Sequence, residues 1–161
     1  MKRPATFDEL VIALKKVDIS DPKDWSNSEL KRGINQLTRA SVLKAIWAGI
    51  VDERDKKWSP AAYNTGNPND MSASLKRILD AGVDPADLKM VVRGYQYETA
   101  FNICYQLDDG GYDYDVNWRL FEVDETGNPL SPIEGLHEDL LGTDPTGLEM
   151  GPWRGSKGAD S

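Results

Sequence analysis

In separate stretches between Phe7 and Leu107 the apolar residues recur three and four apart, and from Val116 to Leu120 they recur at every second position. That change of period is the strongest constraint on the fold. An α-helix brings side chains back to one face about every 3.6 residues, whereas a strand alternates its faces. A chain written this way is a helical body followed by a short β element.

The helical part is punctuated by capping signals. Thr6 and Glu9 form a capping box in front of Phe7, Leu10, Val11, Leu14 and Val17, which predicts a helix over about 7–17. Ser20, Asp21 and Pro22 mark 18–25 as a connector. Ser26 with Glu29 reads as a second capping box. It is followed by one stripe of Leu30, Ile34, Leu37, Leu43, Ile46, Trp47 and Ile50. The stripe changes phase near Thr38 to Ser41, so it predicts one long helix or two helices broken there. Residues 59–70, SPAAYNTGNPND, carry Asn, Gly and Pro without a period and form a long loop, a candidate binding loop by length alone. Leu75, Ile78 and Leu79 predict a helix from Met71 to Ala81, with Gly82 just past its end. Asp84-Pro85 opens another, with Leu88, Val91, Val92, Tyr95, Thr99 and Ile103 carrying it to about Leu107. This most apolar helix is expected at the centre of the core.

The alternation of Val116, Trp118 and Leu120 within VNWRLFEV predicts a strand over 116–123. DETGNP (124–129) is a turn, and Leu130 to Ile133 is the returning strand, confined to an edge by Pro132. Residues 135–141 form a last helical turn. The expectation is a mainly helical α+β fold of four to five helices with a C-terminal β-hairpin or small antiparallel sheet packed on them. One globular domain would span 1–153, with a flexible tail at 154–161.

Length and composition fit a globular chain. The 161 residues suffice for a sizeable core, and 39% hydrophobic with 29% charged residues is not a disordered composition. No window approaches the roughly 18 apolar residues of a membrane span. The N-terminus lacks the apolar region of a secretory signal, and Cys104 is a lone thiol, so a cytoplasmic location is expected.

The charge is unevenly placed. Residues 1–58 carry 12 basic and 9 acidic side chains, residues 59–107 carry 4 and 5, and residues 108–161 carry 3 and 13. The net charge of −8 is therefore a property of the last third, which opens with DDGGYDYD at 108–115. Such a segment repels nucleic acid and anionic membrane and steers toward a cationic surface. Its bland role is solubility.

Several chemistries have no motif here. There is no glycine-rich phosphate loop, no paired-cysteine motif and no G-x-S-x-G elbow. With one His and one Cys, a structural zinc site lacks its usual ligands, and no cofactor or metal is expected. Asp113, Asp115 and Asn117 mimic the first ligands of a calcium loop, but Trp118 stands where glycine is needed and Asp124 where a bidentate Glu belongs. Adjacent acids such as Glu138 and Asp139 do not share a helix face, so they read as solvated.

What remains is a candidate interaction surface of Asp108, Asp109, Tyr112, Asp113, Tyr114 and Asp115, extended along the hairpin by Glu122, Asp124 and Glu125. Tyrosine rings supply rigid contact area and carboxylates pair with arginine. The plainer alternative is a helix-to-strand turn whose tyrosines lie on the core. Trp47 and Trp118 are expected in the core, whereas Trp25, Trp58 and Trp153 lie at element ends. Cys104 is expected to be an inert core residue. The leading expectation is a small acidic protein-binding module that neutralises a basic, nuclease-like partner, as a bacterial immunity protein or antitoxin does, or as a nucleic-acid mimic does. Two alternatives stand beside it. One is a small enzyme or ligand binder using Asp or Glu and His137 in a cleft between 59–70 and the hairpin. The other is a homo-oligomer joined through its edge strand.

Overall fold

The computed structural model describes residues 3–52, 54, 71–110 and 116–147. Among them are six helices, α1 (Phe7–Lys16), α2 (Pro22–Arg32), α3 (Gln36–Trp47), α4 (Met71–Asp80), α5 (Pro85–Asp108) and α6 (Leu136–Leu140), and the antiparallel pair β1 (Leu120–Val123) and β2 (Pro129–Ile133). The fold is mainly helical α+β, as the change of period requires. The chain forms two compact units, one of Met1–Gly49 with Thr99–Ser161 and the other of Ile50–Glu98. The loop at 59–70, Trp58, Trp153 and the tail at 154–161 lie outside the described residues.

In the first unit, α1 starts as its capping box dictates. The Glu9 backbone N–H donates to the Thr6 hydroxyl, and the Glu9 carboxylate accepts from the Thr6 backbone N–H at 3.1 Å. Leu10 and Leu14 are its buried residues. Leu14, Ile19 and Ala40 form a buried cluster, with Val17, Trp25 and Leu37 packed around it.

The second capping box does not form. Helix α2 begins at Pro22, and its cap is Asp21, whose carboxylate accepts the Asp24 N–H at 3.1 Å. Asp followed by Pro combines a side-chain acceptor with a preset φ at the first helical position, so this start prevails and the connector ends early. Ser26 lies inside the helix, fully buried, donating to the Pro22 carbonyl at 2.7 Å. The break in the stripe falls at 33–35, ahead of the expected 38–41. Gly33, at φ +68°, closes α2 in the left-handed region that a glycine enters without strain. Leu30 consequently lies on an exposed part of α2. Glu29, displaced from its own cap, accepts the Leu37 N–H at 2.8 Å and so caps the following helix from its neighbour.

Helix α3 buries Gln36, Ala40, Leu43 and Trp47, a stripe spaced four, three and four. It packs against α1, α2 and α6. The Trp47 indole N–H donates to the Leu140 carbonyl at 3.0 Å, fastening α3 to α6, whose Leu136 and Leu140 are fully buried. Trp47 is thus a core residue.

Helix α5 corrects the expectation of a central apolar helix. Its buried positions are Arg93, Tyr97 and Cys104, whereas Val91, Tyr95 and Ile103 are exposed. Apolar residues occur on every side of this helix, so its sequence does not select one face. In the second unit, Leu75 of α4 is buried, the Arg93 guanidinium donates to the Val51 carbonyl at 2.7 Å, and the Gln96 side chain accepts the Val51 N–H at 2.8 Å.

The hairpin pairs Leu120 with Ile133, Phe121 with Pro132, Glu122 with Ser131 and Val123 with Pro129, with an irregularity between Glu122 and Val123. The predicted strand is shortened, because 116–119 carries no regular structure. Trp118 is exposed and not in the core. Its indole N–H donates to the Gln106 carbonyl at 3.0 Å, holding it near the end of α5.

Candidate functional site

The hairpin is reversed in polarity. On the face turned to the helices, Glu122 and Ser131 sit beside Leu120 and Ile133. Phe121, Val123 and Leu130 are 43%, 53% and 56% exposed, and Pro132 is exposed with them. A half-buried strand pair ordinarily places its polar residues outward. Here the inward polar pair is satisfied by the N-terminal segment and α3. Glu122 accepts from the Arg3 guanidinium and from the Thr38 hydroxyl at 2.7 Å. Arg3 also donates to Glu29 at 2.9 Å and to the Asn35 side-chain oxygen Oδ1, while the Asn35 side-chain amide donates to the Ser131 hydroxyl. This polar cluster leaves the outer face wholly apolar over four residues.

The turn that joins the strands is organised by Asp124. Its carboxylate accepts the Thr126 N–H at 2.8 Å, the Thr126 hydroxyl at 2.7 Å, the Asn128 N–H at 2.9 Å and the Asn128 side-chain amide at 3.0 Å. These donors favour the ionised form, the Asn128 side chain most, and hold the carboxyl well below the usual carboxylate range.

Beside the hairpin lies a cleft of about 1000 Å³, whose walls include Arg32, Arg39, Asp108, Trp118, Pro132 and His137. Asp108, at the C-terminal end of α5, has a side chain only 4% exposed. Its Oδ2 accepts the His137 backbone N–H at 2.9 Å and lies 2.6 Å from the His137 Nδ1. The contact is short enough for a hydrogen bond between the imidazole and the carboxylate. The ring is wedged edge-on against Phe101 and Tyr105, with centroids 5.9 and 5.2 Å away. The other Asp108 oxygen, Oδ1, is buried with no hydrogen-bond partner among the described residues. Opposite in charge, Arg39 pairs with Asp139 at 2.5 Å, and Gly135 lies under its guanidinium. A Cβ at Gly135 would come within 2.7 Å of Arg39 Nη2, and its φ of +74° independently favours glycine.

The residues singled out by the sequence are thus dispersed. Asp108 is a buried partner of His137. Asp109 is exposed on the cleft rim, Glu122 is engaged inward, Asp124 is occupied by its own turn, and Glu125 is exposed. Tyr112, Asp113, Tyr114 and Asp115 lie outside the described residues. The alternative cleft was expected to use 59–70. Residues 59–70 lie outside the described residues; the described walls of the cleft beside the hairpin come from the α2–α3 link, the end of α5, β2 and α6, and His137 belongs to it. Sequence reasoning missed the apolar outer face. The signal was present, because Phe121, Val123 and Leu130 share the strand period with Glu122 and Ser131 in antiphase.

Among the described residues no group of three or more potential metal ligands occurs, and no helix is long and apolar enough to cross a membrane. No protein-family model, curated protein or solved structure matches the chain.

Proposed function

We propose that this protein is a binding module that docks a basic partner protein through the outer face of its hairpin, in the manner of a cytoplasmic immunity protein or antitoxin. The observation that carries the reading is the reversed hairpin. Phe121, Val123, Leu130 and Pro132 face solvent while Glu122 and Ser131 are spent inside. Interfaces concentrate their energy in a few desolvated anchors surrounded by a polar rim, and large apolar residues held on a rigid strand pair suit that role. Next to this face in the chain, Glu125 in the turn and Glu134 just past β2 are exposed and give it an acidic rim. A cationic partner surface complements that rim, and the same charges accelerate encounter.

The reading differs from a purely electrostatic surface in one respect. Asp108 and Glu122 stabilise the fold, so affinity rests on the apolar face and the exposed acids supply steering. A photo-crosslinking residue at position 121 would capture the partner in the native cell, and the purified pair would then be reconstituted. Phe121→Ser with Val123→Ser is expected to weaken the complex at least ~10-fold with the fold retained. Raising salt should slow association, since exposed charges are screened. Unchanged affinity in the double variant, or a partner surface that is not basic, would refute the proposal.

A further inference from the structure

The two strands of the hairpin have unlike free edges. No described strand pairs with the outer side of either. The register decides which main-chain groups point outward. Opposed residues of an antiparallel pair alternate between those that exchange both hydrogen bonds and those that exchange none. Phe121 stands opposite Pro132, which has no N–H to donate, so the ladder bonds fall on Leu120 with Ile133 and on Glu122 with Ser131. The free edge of β2 therefore lacks a donor at Pro132, and Pro129 interrupts it again. β1 contains no proline. The Phe121 N–H and C=O point away from β2, and neither has a backbone partner among the described residues. Such an edge is a template for another strand, and proteins ordinarily blunt it with proline or charge. β2 is blunted in this way and β1 is not.

We infer that β1 pairs antiparallel with β1 of a second copy of this chain, about a two-fold axis at Phe121, so that two hairpins make one four-stranded sheet. Self-complementarity selects this occupant. At a two-fold axis a residue faces itself, and Phe121 offers one outward donor and one outward acceptor, so the two copies exchange both hydrogen bonds there. The ends of the strand are opposite in charge. Arg119 precedes β1 with its side chain 66% exposed and Glu134 3.4 Å away, and the exposed Glu125 follows β1. Antiparallel pairing sets the Arg119 end of each copy beside the Glu125 end of the other, whereas parallel pairing would set like charges together. The pairing also enlarges the apolar face, because Phe121 and Val123 of both copies come to lie on one side of the joined sheet. The dimer goes beyond the proposed docking function and is separable from it by salt. A net charge of −8 on each copy opposes self-association, so screening tightens the dimer, while it weakens a complex with a basic partner.

Sedimentation equilibrium of the full chain over a concentration series, at low and high salt, tests the pairing together with disulfide trapping. The chain is expected to dimerise reversibly and more tightly at high salt. Phe121→Pro removes an outward N–H and no bond to β2, so it should be monomeric with unchanged helical circular dichroism. That variant also loses the ring, and charge variants give an independent reading. Arg119→Glu and Glu125→Arg should each weaken the dimer about 3- to 10-fold, and the two together should restore it. Phe121→Cys should form an intermolecular disulfide under mild oxidation, because opposed residues that exchange hydrogen bonds stand about 5.5 Å apart, within disulfide reach. Leu130→Cys, on the same outer face but on β2, should not, and the native Cys104 is fully buried and does not compete. A chain that stays monomeric at about 1 mM, a folded Phe121→Pro chain that still dimerises, charge variants whose combination does not restore the dimer, or equal trapping at Leu130→Cys and Phe121→Cys would overturn the edge pairing. None of these results touches the basic partner, whose complex is tested by Phe121→Ser with Val123→Ser.

Discussion

Phe121 and Glu122 are adjacent, and urea denaturation should rank them against the ordinary rule that apolar residues hold a fold together. Fully burying a phenylalanine contributes about 1.5–3 kcal/mol, but Phe121 is already 43% exposed on a face that meets water. Phe121→Ser should therefore cost about 1 kcal/mol or less. Glu122, whose side chain is 17% exposed, accepts from the Arg3 guanidinium and the Thr38 hydroxyl. Truncation to alanine strands both donors. Hydrogen bonds to charged groups contribute about 1.5–3 kcal/mol, and a neutral one adds about 1. Arg3 is 35% exposed and regains water, so about 2 kcal/mol is the expected net loss for Glu122→Ala. In a chain of this size that corresponds to a melting temperature lower by roughly 4–8 °C. Glu122→Gln, which keeps an acceptor but not the charge, should fall between. Equilibrium unfolding followed by tryptophan fluorescence measures all three. A Phe121→Ser protein that unfolds at lower urea than Glu122→Ala would show that the hairpin faces are the other way round, and the docking face would go with them.

Other consequences follow from single residues. Gly135→Ala should lower stability by about 1–2 kcal/mol in the same assay, because alanine is strained at φ +74° and its Cβ displaces Arg39 from Asp139; a neutral result would show that the Arg39 seat is not fixed. The Cys104 thiol is fully buried, and burial together with the Asp108 charge pushes its pKa up to about 11. Iodoacetamide at pH 8 should leave it unlabelled in the native protein and modify it fully in urea, and rapid native labelling would contradict its burial. Asp124 has a folded pKa lowered by its turn donors, Asn128 first, so its stabilising contribution is present above the unfolded value of about 3.9 and is lost as pH falls below that toward the lowered folded value. The Thr126 and Asn128 backbone amide signals should stay constant from neutrality to about pH 4 and move only in stronger acid; a transition near pH 5 would mean that the turn is not held by that carboxylate.

Several parts of this protein are legible in its residues alone because their causes are local. The capping box at Thr6 and Glu9, the Asp84-Pro85 start and the turn between Val123 and Pro129 each bring their partners within a few positions, and each forms as written. The change from helical to strand period likewise fixes the α+β class. Where two local signals compete, the sequence does not say which prevails: Asp21-Pro22 displaced Ser26 and Glu29 as the start of α2, and Gly33 took the break from Thr38. The site belongs to the other category. His137 meets Asp108 across 29 positions, Ser131 meets Asn35 across 96, and Arg3 meets Glu122 across 119. Such pairs are set by how the helices and the hairpin pack, because a long side chain finds its partner only after the backbone has brought it near. The same packing decided which side of the hairpin turned inward. The residues supplied two alternating faces, and the donors waiting on Arg3, Thr38 and Asn35 drew the polar one inside.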